Sequence, residues 1–383
     1  MVKILHTSDW HLGRQFQGLS LYDDHATVLD QVLAAVEAHR PDVLIIAGDV
    51  FDRASPPNWA VRQFNEFVGR CRSRSAAAIV IIAGNHDSAD RIGSMSVFAA
   101  AEGAVLVRGP LHVEERPLIV FDNAGPVAVS ALPFGYEYAA RECFGRDDID
   151  CPAEVLAAQV AAARAYVPDG ARWVVVAHAF VEGAQISESE RPLGRAVGGI
   201  ETIPSSLFEG AHYVALGHLH RPQTVGANHI RYSGAPLAFG FDEAGQEKSM
   251  SLVELHGDGS TSVELIKFVP RRQVRRLRGL LSELIAAPEP CLDIVKVVLT
   301  DPQPMIEPMK RIREVYPNAV QLSYEWDTAV AAGTGPQLTP RLQSPAEVVT
   351  GFLEQVRGDP ISLAEAELVA ARLEVLAAEA DAA

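Results

Sequence analysis

Asp9 and His11, in HTSDWH, stand two positions apart directly after the apolar run VKIL (2–5). DVLIIA (42–47) leads into GDVFD, which carries Asp49 and Asp52, and AIVIIA (78–83) leads into GNHD, with Asn85, His86 and Asp87. WVVVA (173–177) ends at His178, and HYVAL (212–216) ends in GHLH, with His218 and His220. Each apolar run delivers oxygen or nitrogen donors at its C-terminal edge, where an α/β sheet places its site. Asp-x-His and His-x-His put alternate residues on the same side of an extended segment, so both members can face one centre. Carboxylates, imidazoles and an amide in this mixture suit Mn²⁺, Fe²⁺ or Zn²⁺ better than calcium. Two cations about 3.5–4 Å apart need a bridging carboxylate and positions left open for water. Gly48, Gly84 and Gly217 let the backbone turn sharply and approach closely at three of these motifs. Any one motif is a common chance match, or an ordinary turn with a helix cap. Their conjunction, in this order and each after a strand, is a metal site.

The elements that position these donors follow from hydrophobic spacing. Between the strands, residues 23–39 carry Val28, Leu29, Val32, Leu33 and Val36, and residues 58–72 carry Trp59, Val61, Phe64, Phe67 and Val68, both at helical spacing. Strand–helix repetition of this kind predicts an α/β layered domain over 1–270. After 220 the turn-separated runs HIRYSG (229–234), SMSLVEL (249–255) and TSVELIKFV (261–269) predict a second, more antiparallel sheet packed on the first. From 271 the composition shifts: Arg271, Arg272, Arg275, Arg276 and Arg278 open a small α+β accessory domain over 271–326, with LDIVKVVLT (292–300), a helical stretch near 304–315 and AVQLSYEW (319–326). The arginines either meet nucleic-acid phosphates or form a solvated basic edge paired with nearby acids. A Gly/Pro/Thr/Ala-rich linker is expected at 327–344. Two amphipathic helices broken at RGDP (357–360) fill 345–383, a stretch with eight acids and two arginines.

A chain of 383 residues is too long for one small domain, and 48% hydrophobic with 21% charged residues gives it a core to bury. The net charge of −16 argues against a protein that coats nucleic acid through its overall charge. An enzyme that cuts nucleic acid is compatible with that charge, because bound cations reverse the local field. The four cysteines have neither C-x-x-C spacing nor the density of a disulfide scaffold, and read as free thiols in a reducing compartment. No signal peptide opens the chain, and its longest apolar run falls far short of the roughly 20 residues that span a bilayer. The expectation is a cytoplasmic, nucleoid-associated protein with no membrane contact. His6, His25, His112, His212, His229 and His256 fall outside the motifs and read as structural or surface residues.

The order D-x-H, GD, GNH, a single His and GHxH resembles the calcineurin-like metallophosphoesterases, whose fold is a two-sheet sandwich with flanking helices. ILHTSDWHLG (4–13), AGDVFDRASPP (47–57), IAGNHDS (82–88), YVALGHLHRPQ (213–223) and RYSGAPLAFGFDEAGQEKS (231–249) are further similar to the SbcD family of bacterial exonuclease subunits, relatives of the nuclease in double-strand-break repair complexes. The likeness is strongest over 1–255; beyond, it is one of arrangement, a capping domain, a linker and partner-binding helices. The resemblance implies that Asp9, His11, Asp49 and His220 hold one divalent metal, and that Asp49, as the bridge, holds the other with Asn85, His178 and His218. Mn²⁺ is the metal expected. His86 is implied to serve the leaving sugar oxygen and Asp52 to orient His86; Arg53 either contacts phosphate or stands solvated or salt-bridged. The family's activity is exonuclease action on duplex DNA ends, with endonuclease cuts at hairpins or blocked ends, in DNA repair, recombination and replication. It implies an SbcC-like coiled-coil ATPase partner gripped through 345–383, and a homodimer within a heterotetramer. This chain has no G-x-x-x-x-G-K-[ST] stretch, so ATP dependence belongs to the partner. The rival reading keeps the two-metal site and assigns it to a nucleotide or another small phosphodiester.

Overall fold

The computed structural model describes residues 1–96, 105–190, 202–286, 289–326 and 345–380. They divide into two units, Met1–Val274 and Arg275–Ala383.

The first unit is built on two six-stranded sheets. With strands numbered along the chain, one sheet runs β14 (Thr261–Lys267), β13 (Ser249–Leu255), β1 (Val2–Thr7), β4 (Val43–Ala47), β5 (Ala78–Ile82), β6 (Val105–Arg108). The other runs β11 (Gln223–Val225), β12 (Ala227–Tyr232), β10 (Tyr213–Gly217), β9 (Arg172–His178), β8 (Gly125–Leu132), β7 (Leu118–Asp122). A short hairpin, β2 (Gln15–Phe16) and β3 (Leu19–Ser20), follows the first motif. The central strands are parallel in both sheets: β1, β4, β5 and β6 in one, β8, β9, β10 and β12 in the other. Every residue of β4, β5, β9 and β10 is buried, as continuous β-branched runs covered on both faces require.

Strand alternation divides each run between two cores. Ile4, Val43, Ile45, Val80 and Ile82 meet Val129, Val174, Val176, Tyr213 and Ala215 between the sheets. Trp173, Val175, Val214 and Leu216 turn the other way, onto Leu156, Val160 and Ala163 of the helix Pro152–Arg164. Helix α1 (Tyr22–His39) buries the expected Val28, Leu29, Val32, Leu33 and Val36, and stops where Arg40 turns left-handed and returns its N–H to the Val36 carbonyl. Helix α2 (Asn58–Arg74) buries Ala60, Phe64, Phe67 and Cys71; Trp59, Val61 and Val68, which the spacing also placed inside, are only half-buried.

The late strands depart from expectation. They do not make a sheet of their own. β12 adds in parallel beside β10, whereas β13 extends the first sheet antiparallel to β1, with Val2 opposite Leu255 and His6 opposite Ser251, and β14 pairs antiparallel with β13 at the sheet edge. Spacing and turn residues identify strands, but the partner of β13 is fixed by a register with β1 between residues more than two hundred positions apart.

The second unit carries a three-stranded sheet, β15 (Val274–Gly279), β16 (Ile294–Leu299) and β17 (Ala319–Tyr324), around Leu281, Val295, Val297, Leu299, Ile312 and Ala319. The helix Pro308–Val315 lies within the β-α-β stretch read from the sequence. Helices Pro345–Arg357 and Leu363–Ala380 flank the RGDP break, and Ser362 with Glu365 caps the second. The linker expected at 327–344 lies outside the described residues, as do 381–383 of the terminal segment.

Candidate active site

The C-terminal ends of β1, β4 and β5 face those of β9 and β10 across the sandwich, and the donors read from the sequence meet there. Ligand atoms of Asp9, His11 and His220 lie within 4.8 Å of one another, as do those of Asp9, Asp49 and His178, and those of His11, Asp52 and His86. Asn85 completes the set, its Oδ1 3.0 Å from His178 Nε2 and 3.1 Å from His218 Nδ1. All these side chains except Asn85 and Asp52 are buried.

The loops brace one another through their backbones. Asp9 N–H donates to the Gly48 carbonyl and His11 N–H to that of Asp49, each at 3.0 Å. His218 N–H donates to Asp9 Oδ1 at 2.9 Å, and His86 N–H to Asp49 Oδ1 at 2.9 Å. The other oxygen of Asp49 stands 3.6 Å from both His11 Nε2 and His178 Nε2, in the middle of the cluster. Asp87 does no more than staple loops: its carboxylate accepts from the N–H groups of Val50, Phe51 and Gly84. Asp9, His11, Asp49 and His218 all have left-handed φ, at 54°, 47°, 49° and 104°. Residues with a Cβ adopt that region at a cost of about 1–3 kcal/mol when held there by their surroundings. Close approach explains two of the glycines: a Cβ on Gly84 would stand 2.2 Å from Asp49 Oδ1, and one on Gly217 1.9 Å from the Ala47 carbonyl oxygen.

Proton positions follow from the partners. His178 Nδ1–H donates to the Ala47 carbonyl at 2.9 Å, so its Nε2 carries a lone pair toward the Asn85 oxygen. His220 Nδ1–H donates to Ser189 Oγ at 2.9 Å, and Ser189 Oγ–H donates onward to Glu243, so His220 Nε2 also carries a lone pair, 3.2 Å from His11 Nε2. His11 Nδ1 is buried with no hydrogen-bond partner, its nearest charged group being the Asp52 carboxylate at 3.8 Å. Acceptors facing acceptors at about 3 Å repel unless a cation lies among them.

Charge points the same way. Burial, then the neighbouring Asp49, lifts the Asp9 carboxyl well above its usual range. Burial lifts Asp49 also, against the pull of His86. Burial holds His178 down at about 4, and burial followed by neighbouring imidazoles depresses His11 and His218. The histidines are therefore neutral, with lone pairs free to bind a cation, and the two acids are short of positive charge. The donor set fits divalent cations.

One expectation changes in detail. His86 Nδ1–H donates at 2.9 Å to the backbone carbonyl of Asp52, not to its carboxylate. That carboxylate lies instead 3.8 Å from His11 Nδ1 and 3.6 Å from Arg14 Nη1. Arg53 is exposed on its loop. Arg14 is the arginine at the cluster: it stacks 4.6 Å over the Phe239 ring and donates to the Ser189 carbonyl.

Sequence reasoning passed over the groups behind His220. Glu190 accepts the His220 N–H at 2.6 Å, and Glu243, wholly buried, is bonded by Ser189 and by Lys248, whose ammonium also donates to the His220 carbonyl at 2.9 Å. Burial drives the Glu243 carboxyl up, but His220 and Lys248 outweigh it and hold it at about 2. The available signal was a Glu and a Lys five positions apart inside the apolar loop PLAFGFDEAGQEKSM.

The arginine run resolves toward ion pairs. Arg271 and Arg272 bond Asp23 and Asp24, while Arg275 and Arg278 bond Asp293 and Glu325.

A sandwich that crowds neutral imidazoles and starved carboxylates at one edge defines a metallophosphoesterase. Comparison with known proteins narrows this. The calcineurin-like phosphoesterase family matches residues 2–222, and a second family, described as the type 5 capsule protein repressor C-terminal domain (SbcD_C), matches 270–357. The chain is 29% identical over 338 residues to the SbcD subunit of the SbcCD nuclease from Staphylococcus saprophyticus, covering 86% of this chain and 87% of that protein. It is 36% identical over 282 residues to the corresponding SbcCD nuclease subunit of Bacillus subtilis, covering 69% of each. The chain belongs to the calcineurin-like phosphoesterases and, among them, to the SbcD nuclease subunits. It is a metal-dependent phosphodiesterase, a hydrolase of the nuclease kind.

Proposed function

We propose that this chain is the Mn²⁺-dependent DNA nuclease of an SbcCD-like complex, shortening duplex ends and opening hairpins or blocked ends. The observation that carries the reading is the convergence of all seven expected ligands, with His86 beside them, at one edge of the sandwich. Asp9, His11 and His220 with Asp49 would hold one cation, and Asp49, Asn85, His178 and His218 the other. When bound, two such cations neutralise phosphate charge and lower the pKa of water to make a nucleophile. The chain's own part is positioning. Its neutral imidazoles aim their lone pairs inward, and the Asp49 oxygen at the centre is shared. His86, with Nδ1–H fixed on the Asp52 carbonyl, presents Nε2 4.0 Å from Asp49 Oδ2. Protonated at Nε2 as well, it can pass that second proton to the departing sugar oxygen and return to the neutral Nδ1–H form, a contribution of about 10²–10⁴-fold. Arg14, beside the cluster, joins Arg53 as a candidate to meet a phosphate.

The relatives are named as subunits of a two-component nuclease. The terminal helices leave Phe352, Val356, Leu363 and Leu368 exposed, an apolar surface that favours a partner of the coiled-coil ATPase kind, with this chain as a homodimer in a heterotetramer. No described helix is long and apolar enough to cross a membrane.

The test is cleavage of a labelled linear duplex by the purified chain with Mn²⁺ or EDTA, beside His86→Ala. Mn²⁺-dependent shortening that falls about 10²–10⁴-fold in the variant, with metal binding retained, is expected. Intact DNA, with or without the partner ATPase, alongside hydrolysis of a nitrophenyl phosphodiester would transfer the site to small substrates.

A further inference from the structure

The two halves of the metal cluster are backed by different chemistry. On one side His178 Nδ1–H rests on a neutral acceptor, the Ala47 carbonyl. On the other, His220 Nδ1–H faces a carboxylate: Glu243 Oε1 is 3.3 Å away, and Ser189 Oγ bridges the two, accepting from the imidazole and donating to the acid. The same Oε1 takes the Phe239 N–H at 3.3 Å, while Oε2 takes the ammonium of Lys248, which in turn donates to the His220 carbonyl. Glu243, at the end of the 3₁₀ turn Phe241–Glu243, and Lys248 are both buried, in the segment between β12 and β13. Two buried charges are costly to place in a loop unless their geometry serves something.

We propose that Glu243 is a positioning residue for His220. It fixes the Nδ1–H tautomer and raises the donor strength of Nε2, so that the metal position formed with Asp9 and His11 binds its cation more tightly than the position formed with His178. Lys248 keeps Glu243 in place by tying both it and the His220 backbone to one ammonium. Ser189 extends the link to the segment that also carries Glu190, so His220 is held at its ring by one acid and at its backbone N–H by another. A carboxylate behind a ligating imidazole strengthens the ligand, and its removal typically costs 10–100-fold in metal affinity. The inference rests on the reading of this cluster as a two-cation centre.

The experiment is titration of the full chain with Mn²⁺, following free Mn²⁺ by electron paramagnetic resonance, with thermal melting in EDTA as the check on folding. The wild-type chain is expected to load two ions in separable steps. Glu243→Gln should weaken the tighter step about 10–100-fold and leave the weaker step nearly unchanged. Glu243→Gln alone strands the Lys248 ammonium, so the double variant Glu243→Gln/Lys248→Met, which removes both charges together, carries the decision. If positioning is the role, the double variant melts near the wild type and still binds the first ion weakly. Recovery of wild-type affinity in the double variant would overturn the proposal, because the loss would then come from the stranded lysine. Wild-type affinity in Glu243→Gln itself would overturn it too. A wild-type chain that binds no Mn²⁺ would instead refute the two-cation reading on which the proposal stands.

Discussion

Gly217→Ala puts the least possible material at the point where the two sheets deliver their ligands. Gly217 pairs with His178 in register and precedes His218, and its φ is one that alanine adopts freely, so the change is purely steric. The new methyl would stand 1.9 Å from the Ala47 carbonyl oxygen and 2.9 Å from His178 Nδ1. Both atoms belong to the bond that fixes the His178 tautomer. A carbon–oxygen contact of about 3.3 Å requires β4 and β10 to separate locally by roughly 1.4 Å. Sites of this kind tolerate displacements of about 0.5 Å, and a 1 Å misplacement costs about 10²-fold in rate. Strain of about 1–3 kcal/mol in stability should accompany it, which a marginally stable fold survives. Denaturant unfolding, Mn²⁺ titration and duplex cleavage of the variant would be read together. The expected outcome is a folded protein with metal affinity and cleavage each lowered by an order of magnitude or more. Gly69→Ala in α2, where a methyl meets no atom within 4 Å, is the control and should be neutral or stabilising by about 0.5–1 kcal/mol. A folded Gly217→Ala chain with wild-type metal affinity and cleavage would refute the claim that this approach sets the site's geometry.

Two other outcomes test separate parts of the molecule. His6 bonds the Tyr213 hydroxyl inside the sandwich, and burial holds its imidazole at about 3, so between the ordinary value near 6.5 and that point only the unfolded chain takes its proton. Stability must therefore fall as pH drops below 6.5; relative to His6→Asn, the wild type should lose about 2 kcal/mol between pH 6.5 and 5 in urea unfolding of the metal-free chains. An unchanged gap between the two proteins would remove His6 from the account. Replacing Phe352 and Leu368 with glutamate, both on exposed helical faces, should abolish co-purification with the coiled-coil ATPase while free-chain cleavage stays within about twofold. Equal loss of cleavage would place those helices in the catalytic unit instead.

What was legible in the sequence was whatever a single strand carries with it. Asp9, Asp49, Asn85, His178 and His218 each follow directly on an apolar run, so strand period and residue type together bring them to one edge. The arginine run at 271–278 was equally visible as charge, but its acids at 23, 24, 293 and 325 are reachable only through the fold. The same limit hid the pairing of β13 with β1, because alternation in SMSLVEL describes a strand without describing its neighbour. Asp52 is the instructive case. Its residue type promised a carboxylate for His86, and the bond comes from its backbone carbonyl, an atom every residue possesses. Glu243 and Lys248 escaped for a related reason: loop residues have no period, so nothing in the local pattern distinguishes a buried acid from a solvated one.

The strain at the ligands explains why so large a sandwich serves so small a site. Four left-handed residues, at about 1–3 kcal/mol each, amount to a cost comparable with the whole stability of many domains. Their conformations persist because each loop is tied to a different strand end: Asp9 to Gly48, His11 to Asp49, His218 to Asp9, and His86 to Asp49. In the last two ties a carboxylate accepts a neighbour's N–H, Asp9 with both oxygens and Asp49 with one. For Asp49 this leaves the second oxygen pointing into the cluster, so the bond that resists the strain also aims the ligand. Such cross-bracing works only if the strand ends themselves do not move, and β4, β5, β9 and β10, buried at every position, supply that rigidity. The parallel, doubly covered sheets are thus a mechanical requirement of the metal centre, and substitutions in the β4 or β9 core that loosen the sheets should act on metal affinity before they act on folding.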